Sequence, residues 1–155
     1  MIGKDAIRYM LASKAASTHM DFDLDLAVSK NSANPVYYAQ YATARASKLI
    51  ERANSLNVTT NGFDKLTAKK ELELIILMDN FSDQVVYAGK SRLPSVICDY
   101  IQQLAKLFHS YYSDSVIIDD KDLEMTGQRI ALVKAVKQVL SNAFGLIDIE
   151  VKEQM

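Results

Sequence analysis

Apolar residues recur along most of this chain at the three-to-four-residue spacing of a helix, with polar clusters between the runs. Over 4–16, Ala6, Ile7, Met10, Leu11 and Ala15 share one helical face, and Asp5 sits near the positive N-terminal end. Ser17 to Met20 predicts a break. Asp21 to Leu26 alternates acidic and apolar residues, which fits a short extended segment or the start of a helix, and an irregular link ending before Asn34 is the favoured reading. The pattern then sharpens from Asn34 to Ala53. Asn34 suits a cap, and Pro35 suits the first helical position, where a missing N–H costs nothing. At about 100° per residue, Ala39, Ala42, Ala46, Leu49, Ile50 and Ala53 fall on one arc. Tyr38, Tyr41, Arg45, Lys48 and Arg52 fall on the opposite one. The first face is small enough to lie close against other helices.

This helix is expected to end between Ala53 and Asn57, and Val58 to Gly62, with its Asn61-Gly62 pair, has the chemistry of a turn. Thr67 is expected to cap a helix carrying Leu72, Leu74, Ile75, Ile76, Leu77 and Met78. Being apolar nearly all round, that helix should be central. Asp79 to Ser82 interrupts it, Asp83 to Ala88 forms a short helix, and Gly89 is expected to close that helix in a left-handed conformation. After Leu93-Pro94, Ser95 to Tyr112 predicts a long helix with Ile97, Ile101, Leu104, Leu107, Phe108 and Tyr111 on its core face. Ser113 to Glu124 is polar around Val116-Ile117-Ile118 and predicts a loop. Thr126 to Phe144 predicts the last long helix, with Gly145 as its stop and an irregular tail from Leu146 to Met155. The expected fold class is all-α, a helical bundle of about five main helices.

Composition agrees. Five Gly and two Pro are too few for a loop-rich all-β fold, and 49% hydrophobic with 24% charged residues is ordinary for a soluble globular chain. A length of 155 residues suits one domain with a proper core. The net charge of −1 gives no overall basic field, but the charge is uneven. Residues 1–60 carry seven Lys/Arg against five Asp/Glu, and residues 61–155 carry eleven against fourteen. A polyanion site would therefore be local, and the helix from Asn34 to Ala53 is the place for it. Cys98 is alone, which allows no intrachain disulfide and fits a cytoplasmic setting. No run reaches the roughly 18 apolar residues of a membrane span, and Lys4, Asp5 and Arg8 interrupt any signal-peptide core.

The aromatic–cationic face carries the most informative chemistry. A solvent-facing helix needs charges, but it does not need tyrosines. Rings that stack on bases beside guanidinium groups that meet phosphates make a single-stranded nucleic-acid surface. Two other readings fit the same pattern: tyrosines half-buried under a neighbouring helix, or a helical protein–protein interaction module anchored by its Tyr/Arg face. Other motifs carry less. Asp21, Asp23 and Asp25 would share one face of an extended chain, but no turn glycine or further acid follows as a calcium loop requires, so a solvated connector is expected. His109, beside Phe108 and Tyr111, reads as a packed ring rather than a base. Gly89-Lys90-Ser91 is similar to the end of a phosphate loop, but Gln84 stands where the first glycine belongs.

The run Asn34-Pro35-Val36-Tyr37-Tyr38-Ala39-Gln40-Tyr41-Ala42, followed by Ala44-Arg45, resembles the helix that opens the DALR-type anticodon-binding domain of arginyl-tRNA synthetases, which are class I enzymes. Gly3 to Tyr9 resembles the segment after their catalytic core, and Asp21 to Leu26 their acidic link. Tyr100-Ile101, Leu104-Ala105, Phe108-His109 and Tyr111-Tyr112 resemble the same domain, as do Arg129, Ala131 to Val133, Ala135-Val136 and Gln138 to Leu140. The resemblance covers nearly the whole chain. It implies that residues 1–33 follow a catalytic core and that residues 34–155 form the helical anticodon-binding domain. It also implies a parent enzyme that ligates arginine to tRNA(Arg) with ATP and magnesium. The histidine–glycine–histidine adenylate signature is absent, so this chain is expected to hold no cofactor and to bind tRNA without catalysing the ligation. By resemblance, Tyr38, Tyr41 and Arg45 face the anticodon loop, with Tyr100 and Met155 beside them, and Lys48 and Arg52 extend the same helix face. Two positions depart from the family pattern: Thr43, where a histidine is frequent, and Gln154, where an arginine precedes the final methionine.

Overall fold

The computed structural model describes residues 2–56, 58–60 and 62–155. The expected turn at Asn61 and the helix limit at Asn57 lie outside the described residues. Among the described residues seven helices follow in order: α1 Lys4–Ala12, α2 Leu24–Val28, α3 Pro35–Asn54, α4 Lys69–Asp79, α5 Phe81–Ser91, α6 Ser95–Asp114 and α7 Leu123–Leu146. The most extensive packing is between α3 and α7, and α6 lies against α3, α4, α5 and α7.

The start of α3 follows its sequence signal. Asn34 Oδ1 accepts from the N–H groups of Val36 and Tyr37, and Pro35 occupies the first turn. Ala39, Ala42 and Ala46 are fully buried, because side chains this small let α3 approach its neighbours closely. Around them Ile101, Leu104, Phe108 and Tyr111 of α6 and Val133, Val136, Leu140 and Phe144 of α7 complete a core with no exposed surface. Gly127 marks the tightest approach. A Cβ there would meet the Thr59 carbonyl oxygen at 2.3 Å, so only glycine fits.

Several expectations about elements need correction. The N-terminal helix stops at Ala12 rather than 16, where Ser13 Oγ bonds to the Met10 carbonyl. The expected irregular link contains α2, whose N-terminus is capped by Asp23 accepting from the Leu26 N–H at 2.9 Å. One of the alternating acids is thus a cap. Thr67 is not the cap of α4. That helix starts one residue later, and Glu71 reaches back to accept from the Ala68 N–H at 3.0 Å.

Helix α4 is also not central. Leu74 and Glu71 are fully buried, but Leu72, Ile75 and Ile76 are exposed. Its inward anchor is polar: Glu71 accepts from Arg129 Nε at 2.8 Å and from the Tyr111 hydroxyl at 3.2 Å, tying α4 to α7 and α6. Gly89 lies inside α5, and the left-handed residue is Arg92, with φ 57°. The N–H groups of Leu93 and Arg92 bond to the carbonyls of Ala88 and Gly89, a Schellman closure. Helix α7 begins at Leu123, capped by Asp122 accepting from Met125, and passes through Gly145. Thr126 is buried, with its hydroxyl bonded to the Asp119 backbone.

Candidate nucleic-acid interface

The faces of α3 are those its periodicity predicts. On the polar side, Tyr38, Tyr41 and Arg45 are half-buried, while Lys48 and Arg52 are exposed. Residues four apart lie one turn apart on the same face, so Tyr37, Tyr41 and Arg45 form a ladder. The rings of Tyr37 and Tyr41 are nearly parallel, 13° apart with centroids at 6.5 Å. The Arg45 guanidinium lies over the Tyr41 ring at 4.6 Å and over the Tyr112 ring of α6 at 4.5 Å. A cation close to two rings is attracted by both π systems, and a guanidinium has five N–H donors, more than one neighbour uses.

His109 of α6 locks this arrangement. Arg45 Nη1 lies 3.2 Å from His109 Nδ1, and His109 Nε2 lies 3.1 Å from the Tyr38 carbonyl. A guanidinium can only donate, so Nδ1 accepts, and Nε2 carries the proton it donates to Tyr38. The ring is therefore neutral. Burial pushes its pKa below the ordinary 6.5; the bond to the Tyr38 carbonyl opposes that shift, and the charge of Arg45 adds to it. The Tyr38 ring packs on the imidazole at 4.6 Å, and burial raises the Tyr38 phenol pKa despite the opposing pull of Arg45.

Among the described residues, none of Arg45, Lys48 and Arg52 is in a salt bridge. Their charges are thus not spent on a carboxylate of the described residues. Past Lys48, an open groove of about 800 Å³ runs between α3, α7 and the tail, lined by Ile50, Asn54, Lys137, Gln154 and Met155 among others. Met155 therefore lines the same groove as Lys48, whereas Tyr38, Tyr41 and Arg45 do not line it.

Tyr100 is not brought to this cluster. It shares the inward face of α6 with Ile97, Ile101 and Leu104 and is only 2% exposed. Its hydroxyl donates to the Leu77 carbonyl at 2.9 Å, its ring packs on Phe81 at 5.2 Å, and burial pushes its pKa up to about 12. It braces α4 and α5 against α6 instead. Conversely, sequence reasoning missed Tyr37, His109 and Tyr112. Tyr37 was legible, because it precedes Tyr41 by one turn. His109 and Tyr112 come from a second helix, and only packing brings them to α3.

The family model of the DALR anticodon binding domain matches residues 39–155. An arginine–tRNA ligase of Mesoplasma florum is 49% identical over 157 residues, covering 100% of this chain and 28% of that protein. The arginine–tRNA ligase of Geobacillus kaustophilus is 40% identical over 158 residues, covering 99% of this chain and 28% of that protein. This chain thus spans little more than a quarter of the length of these relatives. The solved arginyl-tRNA synthetase of Thermus thermophilus superposes with a TM-score of 0.82 over 97% of this chain and 26% of its own, at 24% identity, which is a likeness of fold.

Proposed function

This chain belongs to the DALR anticodon binding domain family, and from that premise we propose that it recognises the anticodon loop of an arginine-accepting tRNA. The observation that carries the proposal is the Arg45 guanidinium packed on the rings of both Tyr41 and Tyr112 and steadied by neutral His109. Unstacked loop bases find ring faces and edges here, and the free donors of Arg45 meet a base edge or a phosphate. Lys48 and Arg52 extend the positive track along the backbone, and Met155 lines the groove with Lys48. In this reading the ligation of arginine, with its ATP and magnesium, belongs to the larger remainder of a cytoplasmic enzyme. The α1–α2 segment is the side that meets that remainder, and the chain by itself binds tRNA with no cofactor.

The test is a titration of the chain with an arginine-accepting tRNA and with the same tRNA altered only in its anticodon. Loss of a ring stacked on a base costs about 1–3 kcal/mol. Tyr41→Ala should therefore weaken binding about 5- to 150-fold. Arg45→Ala should weaken it as well and, if a phosphate is its partner, flatten the salt dependence by about one unit of slope. Lys69→Ala, on the exposed side of α4, is the control and should change little. Equal affinity for both tRNAs, or folded Tyr41 and Arg45 variants that bind like the parent, would leave the face as a protein interface or a structural cluster instead.

A further inference from the structure

The tail after α7 has no regular structure, yet side chains of α3 hold it at residues 150, 152 and 153. Gln40 Nε2 donates to the Glu150 carbonyl at 2.9 Å. Thr43 Oγ1 lies 2.8 Å from the Lys152 carbonyl, sharing its one proton between that oxygen and the Gln40 carbonyl. Ser47 Oγ lies 2.6 Å from Glu153 Oε2, and Lys137 of α7 reaches the same oxygen at 2.7 Å. The lengths match. From residue 40 to 47 a helix rises about 10.5 Å, and from residue 150 to 153 an extended chain covers about 10 Å. The tail therefore runs parallel to α3 in a fixed register, and its next residues arrive beside Lys48.

Gln40 and Thr43 are polar yet 6% and 0% exposed. Such groups are costly to bury unless they are paired, and here the tail backbone supplies partners. Interhelical packing of α3 does not need them, because alanines do that work on the neighbouring arc. Resting on the tRNA-binding function proposed above, we infer that Gln40, Thr43, Ser47 and Lys137 are positioning residues. They strap the tail to α3 so that Met155 forms one wall of the RNA-binding groove. Their contribution to affinity passes through the tail rather than through contact with RNA.

The experiment measures tRNA affinity for the 155-residue chain and its variants by fluorescence anisotropy, with NMR backbone order parameters of residues 150–155 as a second readout. Thr43→Val with Ser47→Ala should lower the order parameters of the tail and weaken tRNA binding about fivefold or more, which corresponds to about 1 kcal/mol. Adding Met155→Ala should then cost little further, because a wall that has already left the groove cannot be removed twice. Thr43→Ser alone, which keeps the hydroxyl and leaves Ser47 in place, should leave both readouts near those of the parent. If the Thr43/Ser47 variant fails to fold, Lys137→Met leaves the α3 stripe intact, frees one side of Glu153 and should move both readouts in the same direction. Unchanged affinity with a loosened tail would overturn the inference, and so would a loss from Met155→Ala that adds in full to that of the strap variant. In either case a normal loss with Tyr41→Ala would show that anticodon recognition stands and only the strap has failed. If Tyr41→Ala also binds like the parent, the proposed function itself has failed.

Discussion

At the scale of single residues, His109 does most to set the state of the interface. Its imidazole accepts from Arg45 through Nδ1 and donates to Tyr38 through Nε2, and only the neutral ring can do both. Protonation would turn Nδ1 into a donor facing a guanidinium. The pKa in the fold therefore lies below the ordinary 6.5, with burial as the main cause. The sign follows from linkage. Within the window between the two values the unfolded chain binds more protons than the folded one, so stability rises with pH. The contribution is complete above 6.5 and is lost as the pH falls through the window beneath it. Thermal unfolding between about pH 7.5 and 5.5 should show a midpoint that drops on acidification, with a flatter profile for His109→Phe. Equal slopes for the two proteins would mean that His109 does not titrate against folding. The tRNA affinity of the parent should fall over the same interval, since an Arg45 released from Nδ1 loses its fixed edge.

At the scale of elements, the loop between α5 and α6 holds a residue in a conformation it does not favour. Arg92 is left-handed at φ 57°, and its side chain is in no salt bridge among the described residues. Left-handed backbone costs an L-residue roughly 1–2 kcal/mol, whereas glycine is free of that steric cost but carries more unfolded-state entropy. Arg92→Gly should therefore stabilise the chain by about 0.5–1 kcal/mol. That corresponds to a rise of roughly 1–4 °C in melting midpoint for a domain of this size. A midpoint that stays put or falls would show that the Arg92 side chain supports the turn in some other way. The same loop shows why element ends were hard to read from sequence. Gly89 has the composition of a stop, but the Schellman bonds form three residues later. Helix ends are decided by hydrogen bonds whose competitors differ by little, so composition marks a neighbourhood rather than a residue. The start of α3 was legible because Asn34 and Pro35 act on their own local backbone. The placement of α4 was not. Its apolar ring suggested a central helix, yet the Glu71–Arg129–Tyr111 group turns one stripe inward and leaves Leu72, Ile75 and Ile76 outside. Likewise Tyr38, Tyr41 and Arg45 could be read from spacing along one helix. Tyr112 and His109 could not, because their meeting with α3 is a product of packing. Tyr100 was misplaced because a tyrosine on a core face looks in sequence like any other tyrosine.

At the scale of the whole molecule, two segments that are not part of the α3–α6–α7 core are fastened to it in different ways. The tail is held by the α3 stripe. The N-terminal pair α1–α2 is held by Tyr9, which is 1% exposed and donates to the Cys98 carbonyl while accepting from Gln102. Arg8 adds an exposed ion pair to Asp148 at 2.8 Å, which contributes little. The inner side of α1 is thus well seated. Its outer side is not covered: Ile7, Leu11, Leu24 and Val28 are 39–62% exposed. Apolar residues this open on two adjacent short helices suit a contact with another body, and this chain spans only 28% of its relatives' length. The proposed contact is the remainder of the enzyme, and Leu11 tests it. In the 155-residue chain, Leu11→Lys alters an exposed side chain, so its effect on stability should stay within about 0.5 kcal/mol. In the full-length protein the same lysine would be forced under the neighbouring body, where an unpaired charge is costly to bury. The expected outcome is a near-normal melt and unchanged tRNA binding for the chain alone. The full-length variant should show an early separate unfolding transition and reduced aminoacylation. A full-length Leu11→Lys protein that melts and charges tRNA like its parent would place this face in solvent and remove it from the interface.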